Sequence, residues 1–276
     1  MKIIRKIISY ILAIILVTLM SATIILSIVN AVVFSKSNVK KQMQKVDYYT
    51  EINNIIKESA NNYIMQSGFD ESIMDNVISK EKINKDIDKV INAIYEGEEV
   101  EISTDEIKNS LDKNVQQYIA QNNYKVDAQT QKDIEKFEDK IESIYANSIT
   151  YSKSSIKKVV KYFKMAKRMT RVALIASSIL LIIFAIITYK TNRATFGISL
   201  LATGIICIFI KCYSSINIAV NNILMVNKTF SNLMINIINQ VIQYVFIGGI
   251  ILAVLGIALI IIFERKSANE KYEENL

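Results

Sequence analysis

Residues 172–189 read VALIASSILLIIFAIITY, a run with no ionisable side chain except the terminal Tyr189, bounded by Arg171 and Lys190. A helix rises about 1.5 Å per residue, so roughly 20 such residues cross a hydrocarbon core about 30 Å thick. Working outward, residues 7–33 and 241–263 are equally free of ionisable groups other than tyrosine, and residues 194–210 repeat the pattern up to Lys211. Four blocks of this length predict an all-α membrane protein with four transmembrane helices. The expected boundaries are a basic tail 1–6, spans at 7–34, 171–189, 194–211 and 241–263, a turn at 190–193, a connection at 212–240 and a charged tail 264–276. Residues 35–170, between the first two spans, are left as a water-exposed domain.

The first block could instead be read as a cleaved signal peptide, with Lys2, Arg5 and Lys6 before it and Val29-Asn30-Ala31 as a cleavage site. Its apolar run far exceeds the 7 to 15 residues of a secretory core, which favours an uncleaved anchor.

The chain has 276 residues, a net charge of +7, and no histidine, proline or tryptophan. Abundant isoleucine, lysine and asparagine fit the codon supply of an AT-rich bacterial genome. Cys207 and Cys212 are five apart on one helix and point in different directions, so they cannot pair with each other. The inserted domain must therefore hold itself together by its core.

That domain reads as successive amphipathic helices. Apolar positions recur from Val39 through Met43, Ile52, Ile56 and Ala60 to Tyr63, and this stretch is expected to continue the first span without a break until Gly68. Asp70 and Ser79 are placed to cap the next two helices, the second ending at Gly97. Ser103 and Glu106 have the spacing of a capping box for a helix carrying Ile107, Leu111, Val115, Tyr118 and Ile119 inward. Asp127 opens a final helix, with Ile134, Phe137, Ile141, Ile144 and Tyr145 on one face, expected to run uninterrupted into the second span. Val100 and Ile102, then Tyr124 and Val126, alternate with polar residues and suggest a small two-stranded element. In the 212–240 connection, apolar residues at helical spacing predict a hairpin turning at 227–229. Together these helices would form a stalk beneath a cap at about 68–142.

Charge is segregated. Residues 46–142 carry 22 acidic side chains and 11 lysines, whereas residues 143–171 carry eight basic side chains and no acid. Lys157, Lys158, Lys161, Lys164, Lys167, Arg168 and Arg171 are candidates for contact with anionic lipid headgroups, each contributing about 1 kcal/mol near the surface; a merely solvated basic face is the competing reading. The basic amino terminus, the 190–193 turn and Arg265-Lys266 place both termini in the cytoplasm and export the inserted domain. The basic residues before the second span argue the reverse, but long loops translocate largely regardless of charge. Lysines beside a span, without a nucleic-acid-binding fold, exclude nucleic acid as a partner.

No catalytic, cofactor or metal site is legible. Without histidine there is no Ser-His-Asp triad and no histidine metal site. The carboxylate pairs Glu98-Glu99 and Asp86-Asp88 are expected by chance in so acidic a stretch, so no enzyme is expected and no cofactor is implied. The spans hold no internal Asp, Glu, Lys or Arg for an ion relay. They do hold Gly197 and Gly204, seven apart in span three, and Gly249 and Gly256, seven apart in span four. Small residues allow close backbone approach, which is what holds helices together in lipid. Packing of spans three and four on each other is the first reading and contact between copies the second.

Asp47-Tyr48-Tyr49, the Gly68 break, Lys85-Asp86-Ile87 in a helix ending Ile94-Tyr95-Glu96-Gly97, and the helix at 137–145 resemble a class of uncharacterised bacterial multi-span membrane proteins with a helical extracytoplasmic insert. The resemblance covers roughly residues 40–170 and implies an architecture but no activity. The expected function is binding or sensing of a protein, peptide or envelope partner by the inserted domain. A subunit of an oligomeric transporter or channel assembly comes second and a membrane-bound enzyme third.

Overall fold

In the computed structural model, which describes residues 2–150, 153–217 and 228–273, every regular element is helical. In chain order they are α1 (Lys2–Val32), α2 (Lys36–Lys45), α3 (Tyr48–Ser67), a 3-10 turn (Glu71–Met74), α4 (Lys80–Glu96), α5 (Asp105–Gln121), α6 (Ala128–Thr150), α7 (Lys153–Thr191), α8 (Arg193–Asn217) and α9 (Lys228–Glu273). Four stretches, Lys6–Val32, Ile156–Thr191, Arg193–Tyr213 and Lys228–Arg265, are long and apolar enough to cross a membrane. The chain divides into two units, Met1–Val39 with Ala166–Leu276, and Lys40–Met165. The divisions fall inside α2 and α7, so each of these helices contributes residues to both units.

In the first unit α8 and α9 pair along their lengths and α1 packs on both. Leu16 and Met20 of α1 meet Leu200 of α8, with Leu181 and Phe184 of α7 against them. Two buried hydroxyls of α8 bond back along their own helix: Ser199 Oγ donates to Thr195 O at 2.9 Å and Thr203 Oγ1 to Ser199 O at 2.8 Å. Such bonds satisfy a polar group without a water or an ion. Asn38 and Gln240 exchange amide hydrogen bonds of 2.9 and 3.0 Å, and Asn38 also donates to Val32 O at 3.0 Å.

That last bond marks a difference from the expected continuous helix over 33–68. The chain breaks after Val32, restarts at Lys36 with Ser35 Oγ accepting from Asn38 N at 3.3 Å, and breaks again at Asp47, whose φ is 51°. A helix end leaves carbonyls without partners, and Asn38 supplies one. Aspartate tolerates the left-handed conformation better than most residues, so the second break sits where it costs least.

The second unit buries Ile52, Ile56 and Ile64 of α3, Ile83 and Ile87 of α4, Ile107, Leu111 and Val115 of α5, and Ile141 and Tyr145 of α6. Each set follows helical spacing, and α6 is the common partner of α3, α4 and α5. Tyr63 stacks on Phe137 with centroids 5.6 Å apart, and Phe69 lies 4.7 Å from Phe137 and 5.7 Å from Tyr118. Asn114 fastens the 3-10 turn to α5 by donating to Ile73 O at 2.8 Å and Asp75 O at 2.9 Å.

Asp70, Ser79 and Asp127 accept from Ser72 N, Lys82 N and Thr130 N at 2.9, 3.1 and 2.7 Å. Gly68 and Gly97 close α3 and α4 with φ of 78° and 77°. The Ser103–Glu106 box does not form: α5 begins one residue later, with Thr104 as its N-cap. Thr104 Oγ1 donates to Glu142 of α6 and Glu106 turns to Lys82, so tertiary partners outbid the local cap. Tyr118 and Ile119 are only half-buried. The two-stranded element is also absent among the described residues. Ile102 is buried, whereas Tyr124 and Val126 are exposed, so the segments share no common face. Of the turn expected at 227–229, Lys228 and Thr229 already belong to α9, and residues 218–227 lie outside the described residues. Continuity between α6 and α7 rests on residues 151 and 152, which likewise lie outside them.

Candidate functional site

The four glycines meet in one seam between α8 and α9. A β-carbon on Gly204 would stand 2.5 Å from Ala253 N and 2.6 Å from Gly249 O, and one on Gly249 would stand 2.7 Å from Cys207 Cβ. One on Gly256 would stand 2.5 Å from Leu201 N, and one on Gly197 would stand 3.0 Å from Ile260 Cγ1 and 3.4 Å from Gly256 O. Gly204 thus opposes Gly249, and Gly197 opposes Gly256, within one chain. Gly248, adjacent in sequence, has only Ile24 Cγ2 within reach, at 3.9 Å.

The basic residues of α7 do not act as one set. Lys157, Lys161 and Lys164 share a face at positions i, i+4 and i+7, and that face meets the connection between α4 and α5. With Gly97, Glu98, Glu99 and Val100 they line a cleft of about 260 Å³ floored by Ile156 and Val160. Lys157 pairs with Glu99 at 3.2 Å, and the Lys164 stem lies over Gly97. Tyr95 and Phe163 close the same contact with centroids 4.7 Å apart. Lys158, Arg168 and Arg171 are exposed and Lys167 is half-buried. Exposed ion pairs contribute little, typically below about 1 kcal/mol, so the apolar floor and the ring pair carry more of this contact.

A buried polar cluster escaped the sequence reading. Asp86 is 1% exposed and accepts from Tyr145 Oη at 2.7 Å and Lys89 Nζ at 2.8 Å, with Lys82 Nζ at 3.5 Å. Burial works against its ionisation, but the hydrogen bonds from Lys89 and Tyr145 and the charges of Lys82 and Lys89 prevail, holding the carboxyl below its ordinary range. Burial, then the bond to Asp86, pushes the Tyr145 phenol up, so it stays a neutral donor. Two residues on, Asp88 turns elsewhere, accepting from Tyr49 Oη at 2.8 Å and pairing with Lys40 at 3.0 Å. The Asp86-Asp88 pair is therefore split between two sites, as positions two apart on a helix must be. Tyr145, on the apolar face of α6 yet carrying a hydroxyl that needs a partner when buried, was the signal for this cluster.

Cys207 is buried and Cys212 exposed, both as free thiols, and among the described residues no three His, Cys, Asp or Glu side chains are grouped to hold a metal ion. Over the described residues these features define an all-helical architecture with four helices long and apolar enough to cross a membrane, and a second helical unit inserted in the chain between the first two of them. No protein-family model, curated protein or solved structure matches the chain.

Proposed function

We propose that the chain is a non-enzymatic bacterial membrane protein whose inserted unit lies outside the cytoplasm and binds or senses a protein, peptide or envelope partner. The supporting observation is α7, a described helix over Lys153–Thr191 that supplies the inserted unit with its lysine face and then continues as the second apolar stretch. A helix resists compression far better than a loop, so a partner seated on the inserted unit has a stiff element through which to act on the spans. The basic amino terminus supports an exported insert, since the first helix usually dominates orientation. The exposed Lys158, Arg168 and Arg171 suit the anionic headgroups next to that span.

The test places single cysteines in a Cys207→Ala, Cys212→Ala background. Ser72→Cys and Ser110→Cys are expected to react with an impermeant thiol reagent on intact cells, and Asn192→Cys is not. Crosslinkers attached at the first two sites in native membranes are then expected to give a discrete adduct. Labelling only at Asn192→Cys reverses the orientation. Ion flux through liposomes holding the purified chain, with no adduct from the insert, replaces the binding role with that of a pore subunit.

A further inference from the structure

Glu138 has no role in the contacts described so far, yet it is only 4% exposed. It lies on α6 beside Phe137 and one turn from Ile134 and Ile141, within the buried face, and its Oε1 has no hydrogen-bond partner. The cation whose charge opposes this burial, Lys108 of α5, is engaged by Asp139 at 3.3 Å and Glu142 at 3.5 Å. Asp112 of α5 and Asp139 and Glu142 of α6 add negative charge around it. Of the other helices on α6, Glu51, Lys57 and Glu58 of α3 are exposed, and Lys82, Asp86 and Lys89 of α4 gather at Tyr145. An ionised carboxylate so placed is costly, because burial removes its water and no partner replaces it. Burial and then Asp112 outweigh Lys108 and lift the Glu138 carboxyl to about 7.

We propose that Glu138 is a proton-binding residue that couples the pairing of α5 and α6 in the inserted unit to the proton concentration around it. Protonated, the carboxyl is a neutral group in the buried face; ionised, it is a buried charge without a hydrogen-bond partner that loosens the pairing. The sign follows from linkage. The folded unit holds this proton more tightly than the unfolded chain does, so stability falls as pH rises from the ordinary glutamate range through about 7. Asp86 acts in the opposite sense and only below its ordinary range, outside this window. The chain has no histidine, so no other side chain ordinarily titrates between about pH 5 and pH 8. That the protons are those outside the cytoplasm rests on the proposed orientation; the switch itself does not.

Pulse proteolysis of the full chain in detergent at fixed urea, from about pH 5 to pH 8, reads the folded ratio of the inserted unit. That ratio is expected to be on the order of 100-fold higher at the acid end for the parent. Glu138→Gln is expected to be nearly flat and to stay protected at pH 8, and Asp112→Asn to move the midpoint to lower pH. In infrared spectra at about pH 6, where ordinary carboxyls are ionised, the parent is expected to show a protonated carboxyl band that Glu138→Gln lacks and that disappears from the parent by pH 8. A flat parent, or a Glu138→Gln chain with the parent's pH dependence, overturns the proposal. If Glu138→Gln does not fold, the parent's band decides: titration complete below pH 5 sinks the idea. Thiol labelling reports orientation separately, so either reading can fail alone.

Discussion

α8 and α9 meet backbone to backbone at glycines, whereas α3 and α6 are held apart by isoleucines and the stacked rings of Tyr63 and Phe137. The contrast reflects the two solvents these sequences suit. Helices as apolar as α8 and α9 gain little in lipid by hiding apolar surface from one another, so attraction comes from close van der Waals contact and is greatest where side chains vanish. In water, burying a large apolar side chain contributes about 1.5 to 3 kcal/mol, so the inserted unit favours bulk. One interface is defined by the side chains it lacks and the other by those it has.

The largest expected effect is at the glycine seam. Gly204→Ala puts a methyl 2.5 Å from Ala253 N, where no flexible side chain can yield, and α8 and α9 must separate. A loss of about 3 kcal/mol or more, the upper end of the cost of overpacking, is expected as a lower melting temperature in detergent. Gly248→Ala, with its nearest neighbour at 3.9 Å, is the matched control. Equal melting temperatures for the two would remove the contrast between the units.

Next comes the polar centre of the inserted unit. Tyr145→Phe keeps the ring in the core but takes a hydrogen bond from a buried carboxylate, and about 1.5 to 3 kcal/mol is expected from denaturant unfolding. Asp86 also contributes stability at neutral pH that is lost as pH falls below its ordinary carboxyl range, because its folded-state carboxyl is held low. An acid-unfolding transition unchanged by Tyr145→Phe would mean that Lys82 and Lys89 suffice to hold it.

The smallest effect distinguishes a local cap from a tertiary one. Ser79→Ala removes the acceptor for Lys82 N and is expected to cost about 1 kcal/mol. Ser103→Ala is expected to cost only a few tenths, since Thr104 occupies the cap position of α5. Equal losses measured by urea midpoints would restore the capping box at Ser103 and Glu106.

Much of this was readable from local order. Asp70, Ser79 and Asp127 cap helices because their side chains reach backbone only two or three residues away, and the seven-residue glycine spacing repeats on one helix face. What escaped depended on distant partners. Glu98-Glu99 and Lys157 are far apart in the chain and nothing in their own neighbourhoods announces the cleft they share. The roles of Asp86 and Asp88 diverge only because Tyr145 approaches one and Lys40 and Tyr49 the other. The break at Asp47 was hidden for a similar reason: the apolar rhythm continues through it on both sides.

By itself the sequence determined the four apolar helices and the helical insert, because span length and helical periodicity follow from the chain's own geometry and composition. Only the tertiary structure decided that Gly204 faces Gly249, that three of the seven basic residues between Lys157 and Arg171 face an acidic loop, and that Glu138 is buried among the charges of Asp112, Asp139 and Glu142. Those depend on which helix lies opposite, and a sequence records a helix's faces without recording the neighbour that covers each one.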